Sequence, residues 1–220
     1  MINWDDVKTV LLDMDGTLLD LHFDDYFWQV QLPLKWGERN GMDVETAKKK
    51  LIPIFQNTEG TLPWYCLDFW SEQLDMDVFE INKGIEHLIQ PRPYVEEFLE
   101  FLGSIKKNIV LVTNSHEKFI SLKMEQTGLE CHFDHMFNAH SFGSPKEDVL
   151  FWEKLTDELC FAEDTTVLID DNLQVLRSAQ RHGIRHLLSI AQPSSQAPVR
   201  DTAEFQAITS FQDLYCQESA

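Results

Sequence analysis

The chain has 220 residues, 43 % of them hydrophobic and 25 % charged, enough for one catalytic core, a modest inserted domain and a sizeable buried interior without disulfides. Lys and Arg number 18 against 37 Asp and Glu, a formal net charge of −19. That field repels nucleic-acid backbones and anionic membranes, so neither is an expected partner, and an anionic substrate requires a local reversal of charge, which a divalent cation supplies most economically.

The N-terminal stretch has no basic segment followed by an apolar one, and no run approaches the ~18 apolar residues of a membrane span. The cysteines, Cys66, Cys131, Cys160 and Cys216, have no metal-ligand or CxxC spacing and read as free thiols of a reducing compartment. The expected location is the cytoplasm. Nothing signals an obligate protein partner.

The first predicted element is the apolar run Thr9, Val10, Leu11, Leu12. Two runs of the same kind follow, Ile109, Val110, Leu111, Val112 and Thr166, Val167, Leu168, Ile169. Short, nearly continuous, β-branched runs suit strands buried on both faces, as in a parallel sheet. Each is followed by small polar or acidic residues: Asp13, Met14, Asp15, Gly16, Thr17; then Thr113, Asn114, Ser115; then Asp170, Asp171, Asn172. Open α/β sheets bind ligands beyond the carboxyl ends of their strands, so three separate segments aim reactive groups at one crevice.

From about 21 to 88 the strand pattern stops. The segment is aromatic and amphipathic, with Tyr26, Phe27, Trp28, Trp36, Trp64, Tyr65, Phe69 and Trp70, and reads as a helical insertion after the first strand. Pro91 and Pro93 mark the return to the core. Helices are predicted over 117–127, 146–159 and 173–181, the last stopped by Gly183, with a weaker strand over 135–139 and a last core strand over 185–190. The tail after Gln192 begins as a loop, and 205–215 adds a short helix or strand. Strands alternating with helices at this spacing predict a Rossmann-like α/β core of right-handed crossovers.

Asp13 and Asp15, two apart in extended backbone, point the same way. Burying like charges is costly without a cation or proton, and Asp170 and Asp171 add two more at the same sheet edge. Four carboxylates of this kind call for a hard divalent ion, and all-oxygen ligation favours Mg²⁺. His22, His116, His135 and His140 are scattered and read as structural or exposed.

Asp13-Met14-Asp15-Gly16-Thr17, then Thr113, Lys146 and the pair Asp170-Asp171, in this order, resemble the motif set of the haloacid dehalogenase-like hydrolase superfamily over essentially the whole chain. The resemblance implies a catalytic core of residues 1–20 and 91–220 and a helical cap over 21–90. It implies that Asp13 is the nucleophile of an aspartyl-phosphate and that Asp15 is the general acid and base. Thr113 and Asn114 then hold phosphoryl oxygens, Lys146 neutralises charge, and Asp13, the Asp15 carbonyl and Asp171 bind Mg²⁺, with Asp170 a direct or water-mediated partner. Asp15 argues for phosphoester chemistry, because the dehalogenases lack an acid two residues after the nucleophile.

A closer resemblance rests on the stretch from Leu11 to Leu21, Tyr26-Phe27-Trp28, Trp64 to Leu74, and His140 to Asp148. These look like the bacterial GMP/IMP nucleotidases of the superfamily. That implies a purine nucleoside monophosphate substrate, with Tyr26, Trp28 and Trp64 as candidate base contacts. A phosphatase for a small phosphorylated acid or sugar such as phosphoglycolate, a phosphomutase, and a binding protein with a relic site share parts of this pattern.

Overall fold

The computed structural model describes residues 2–216; residue 1 and residues 217–220, the outermost ends of the expected core, lie outside the described residues. Six strands form one parallel sheet in the order β3-β2-β1-β4-β5-β6: β1 (Thr9–Leu12), β2 (Asn108–Thr113), β3 (His135–Asn138), β4 (Thr166–Ile169), β5 (His186–Ile190) and β6 (Gln206–Ile208). This is the doubly wound order in which the chain reverses direction across the sheet between the first and fourth strands, and ligands bind in the crevice opened there.

The apolar runs are strands because both faces of the sheet are covered. Val10, Leu12, Ile109, Leu111, Val167 and Ile169 pack into one core cluster; Leu11, Val110, Val112 and Leu168 pack into the other with Phe151 and Trp152. Alternate residues therefore serve opposite faces, and all are apolar. Leu12 is level with Leu111 and Ile169, so the carboxyl ends of β1, β2 and β4 sit side by side.

The covering helices of the core are α6 (Val95–Ser104), α7 (Glu117–Thr127), α8 (Val149–Leu159) and α9 (Leu173–His182). The last ends at Gly183 with φ +117°, the left-handed stop read from the sequence. The helix expected over 146–159 begins three residues later. Asp148 caps it, its side chain accepting from the Leu150 N–H, so Lys146 lies in the preceding loop and not in a first helical turn. The tail contributes both a strand, β6, and a 3₁₀ turn, Phe211–Leu214.

Between residues 21 and 90 there are helices and no strand: α1 (His22–Tyr26), α2 (Leu32–Arg39), α3 (Val44–Thr58), α4 (Leu67–Leu74) and α5 (Val78–Lys83). α1 runs into α2 through a π-helical turn, Phe27–Gln31, just before Pro33, whose missing N–H an α-helix could not use. The chain leaves and re-enters the core at one place. The Asp20 N–H donates to the Gln90 carbonyl and the Arg92 N–H to the Leu18 carbonyl. Phe23, Phe27, Leu51 and Trp70 continue the hydrophobic cluster of one sheet face into these helices. No described helix is long and apolar enough to cross a membrane.

Candidate active site

Asp13, Thr113 and Asp170 stand at or just past the ends of β1, β2 and β4, and all line one cavity of about 510 Å³ with Asp15, Asn114, Lys146 and Asp171. The residues expected from the sequence to act together are therefore together.

Lys146, 2 % exposed, holds the centre. Its ammonium donates to Asp13 Oδ1 at 2.6 Å, to Asp170 Oδ2 at 2.7 Å and to the Val112 carbonyl at 3.0 Å. Burial disfavours its charge, but the two carboxylates outweigh that and hold the amine protonated well above its ordinary range. Burial pushes the Asp13 carboxyl up although Lys146 pulls it down. Asp170 is raised by the same cause to about 7. Asp171 is raised well above the usual carboxylate range by burial and by its two acidic neighbours.

These carboxyls fit a hard cation. Asp13 Oδ2 is buried and has no hydrogen-bond partner among the described residues. Asp13, Asp170 and Asp171 each offer an oxygen, all within 4.8 Å of one another. Asp170 has both oxygens engaged, Oδ2 by Lys146 and Oδ1 by the Asn172 N–H at 2.8 Å, whereas among the described residues the Asp171 side chain has a polar contact only with Arg200, at 3.4 Å. Gly16 makes room for this cluster. A Cβ there would lie 2.8 Å from Asp171 Cγ, and its φ of +80° is left-handed, costing another residue about 1–2 kcal/mol.

Thr113 Oγ1 accepts the Ser115 N–H at 3.1 Å, leaving its own proton free to donate. Asn114 is fixed at both ends, Oδ1 accepting from the Lys146 N–H and Nδ2 donating to Glu147 Oε2 at 3.0 Å. Glu147 also accepts from Asn172 Nδ2 at 3.2 Å and from the Tyr65 hydroxyl at 2.6 Å, whose proton is held by burial and by the adjacent carboxylate. One side chain thus ties the ends of β2 and β4 to the helical segment.

Asp15 is held from two sides, by Ser115 Oγ at 2.6 Å and by Lys123 Nζ at 2.6 Å. Lys123 also meets both oxygens of Asp24, at 3.0 Å. Burial disfavours its charge, and Asp15 and Asp24 more than restore it. Asp24 is raised to about 7 by burial first and by the Asp15 charge second.

A second cavity, about 590 Å³, adjoins the first and shares Leu21, Tyr65 and Ser115 with it. Its walls are aromatic. Trp28 and Trp64 stack at 5.8 Å and 19°, with Phe55 and Trp70 edge-on to both. Two of the three aromatic residues expected at the base, Trp28 and Trp64, are on this wall. Tyr26 is not. Two positions from Trp28 on a helix, it points elsewhere and packs edge-on against His22.

The sequence reading assigned no individual role to Ser115, Lys123, Asp24, Glu147, Tyr65 or Arg200. Lys123 carried the one available signal, a charge on a helix face with Phe119 and Ile120. Of the four histidines read as structural or exposed, His22 packs against Tyr26 and His135 is exposed. His116 caps α7, accepting the Lys118 N–H, and packs edge-on to His140, whose ring nitrogen meets the Tyr65 carbonyl.

A family model described as haloacid dehalogenase-like hydrolase matches residues 7–183. The GMP/IMP nucleotidase YrfG of Escherichia coli (strain K12) is 41 % identical over 194 residues, 88 % of this chain and 87 % of that one. Among solved structures, a HAD phosphatase from Thermococcus onnurineus superposes with a TM-score of 0.79 at 20 % identity, covering 94 % of this chain and 96 % of the other. A putative β-phosphoglucomutase from Thermotoga maritima does so with a TM-score of 0.68 at 18 % identity, with the same coverage. The strand order, the acid cluster around Lys146 and these matches agree: the chain belongs to the haloacid dehalogenase-like hydrolase family.

Proposed function

We propose that the protein is a Mg²⁺-dependent 5′-nucleotidase that releases phosphate from the purine monophosphates GMP and IMP through a phosphoryl group carried on Asp13. The observation that carries the chemistry is Asp13 itself: one oxygen is clamped by Lys146, and the other is buried without a partner in the cavity that Asp15, Thr113 and Asn114 also line. The 41 % identity to a nucleotidase over most of both chains supports the substrate class, as does an aromatic cavity beside that site.

In the first half-reaction an Asp13 oxygen attacks phosphorus and the ester P–O bond breaks. The leaving 5′-oxygen takes a proton from Asp15. In the second, Asp15 removes a proton from water, the water oxygen bonds to phosphorus, and the acyl-phosphate P–O bond breaks, returning the Asp13 carboxylate and inorganic phosphate. Thr113 donates its hydroxyl proton to a phosphoryl oxygen, Asn114 fixes the loop around it, and Lys146 offsets the charge of Asp13. The carboxylates of Asp13 and Asp171 and the Asp15 carbonyl would hold Mg²⁺, while Asp170 orients Lys146. When bound, the ion supplies positive charge against the anionic phosphoryl group.

Residues 21–90 serve as a cap on a core formed by 1–20 and 91–220. The paired crossings at 18–20 and 90–92 and the Tyr65 contact to Glu147 support this division. Trp28 and Trp64 take the purine ring, by stacking worth about 1–3 kcal/mol. Excluding water by closing such a lid completes the site.

The test is a panel of phosphate esters with and without Mg²⁺: purine and pyrimidine monophosphates, sugar phosphates and phosphoglycolate. Phosphate release that needs Mg²⁺ and favours GMP and IMP is expected. Preference for a sugar phosphate or phosphoglycolate overturns the purine assignment, and no turnover of any ester overturns the enzyme.

A further inference from the structure

Lys123 belongs to none of the motifs read from the sequence, yet it is among the most buried side chains of the protein, 1 % exposed. Lysine is almost never buried to that degree unless it is paired. Its ammonium touches Asp15 Oδ1 at 2.6 Å and both Asp24 oxygens at 3.0 Å, and lies over the rings of Phe23 (5.0 Å) and Phe119 (5.4 Å). The three charged residues come from three places: Asp15 from the loop after β1, Lys123 from α7 of the core, and Asp24 from α1, the first helix of the 21–90 segment.

The arrangement does more than offset charge. A carboxylate that must give a proton to one oxygen and later take one from another has to be aimed, and a displacement of ~1 Å can cost ~10²-fold in rate. Ser115 Oγ holds Asp15 Oδ2 at 2.6 Å and Lys123 holds Oδ1, so this carboxyl has no rotational freedom while both contacts stand. Asp24, placed by α1, in turn holds Lys123. The position of α1 is thereby transmitted to the acid through two ionic hydrogen bonds and the aromatic rings that enclose them.

We propose that Lys123 and Asp24 form a positioning pair that aims Asp15 at the leaving group and makes the aim depend on where the helical segment sits. This rests on Asp15 being the general acid. The role differs from simple charge neutralisation in its consequence. An enzyme with a misaimed acid still expels a good leaving group and fails with a poor one, whereas an enzyme with a distorted site loses both alike.

The experiment measures kcat/KM, which reports the steps up to loss of the first alcohol, for GMP and a series of substituted phenyl phosphates including p-nitrophenyl phosphate, with Mg²⁺ present. The variants are Lys123→Met and the double variant Lys123→Met/Asp24→Asn, which leaves no unpaired buried charge at position 24; thermal melting shows that each is folded. For both, kcat/KM is expected to fall by up to ~10²-fold on GMP and unsubstituted phenyl phosphate and far less on p-nitrophenyl phosphate, so that the dependence on leaving-group pKa steepens. Lys123→Arg is expected to recover part of the loss. Equal losses on all esters, or an unchanged leaving-group dependence, overturn the positioning role. Asp15→Asn, run alongside, separates the two ideas. Wild-type turnover there overturns Asp15 as the acid, and a large loss there with an unaltered slope in the Lys123 variants overturns the pair alone.

Discussion

The acidic pocket around Lys146 and the aromatic cavity beside it are built by opposite means. Groups in the pocket hang from the ends of buried strands and are fixed by ionic hydrogen bonds of 2.6–2.7 Å around Lys146. The cavity's walls come from helices and a loop, fixed by ring against ring at 5.3–6.0 Å. Backbone topology positions the acids, and side-chain packing shapes the aromatic wall. Under the proposed function the first has no substitute for a missing group, while the second absorbs a change of shape and loses only discrimination. Tyr65 joins the two, contributing to both cavities and reaching Glu147.

The sharpest break in that comparison is Asp13→Asn, which is expected to bring phosphate release to the detection limit for every ester, with or without a base. Because burial raises the Asp13 carboxyl, its charge opposes folding, and the variant is expected to melt no lower than the metal-free wild type. Next is Asp15→Asn, expected to lose at least ~10²-fold in turnover of GMP. Near-wild-type rates in either would remove the pocket's assigned chemistry.

Trp28→Leu and Trp64→Leu keep the wall apolar and remove the stacking face. Each is expected to cost about tenfold in kcat/KM for GMP, at the lower end of base-stacking energies, while leaving ribose 5-phosphate little changed. An equal loss on both substrates would mean that the cavity supports the pocket and does not select.

The smallest effect concerns pH. Asp13, Asp24, Asp170 and Asp171 are all raised in the fold, so the native state binds more protons than the unfolded chain above the ordinary carboxylate pKa. Their contribution to stability is complete below about pH 3.8 and is lost as pH rises through the folded values, about 7 for Asp24 and Asp170. Metal-free protein is therefore expected to melt lower at pH 8 than at pH 5. Mg²⁺ at a hundredfold excess over its Kd is expected to raise the melting temperature at pH 8 by roughly 5–10 °C, and less at pH 5, where protons compete. A shift independent of pH would separate the ion from these carboxylates.

The apolar runs and the acids that follow them specify the sheet and four points of the pocket without any knowledge of the fold. Strand period, Gly16 and the residue just past a strand end are local signals, and parallel strands bring their carboxyl ends to one edge whatever lies between. The stop at Gly183 was local in the same way. Lys123 meets Asp15 across 108 positions and Asp24 across 99, and Glu147 meets Tyr65 across 82, through contacts that leave no pattern in the neighbouring residues. Which of three nearby aromatics faces the cavity was likewise undecidable from a list, because a helix turns Tyr26 away from the side that Trp28 faces. Short-range periodicity and chain order thus determine where the acids gather, and tertiary packing alone decides which distant side chains meet them, since a buried charge is stable only where the fold supplies its partner.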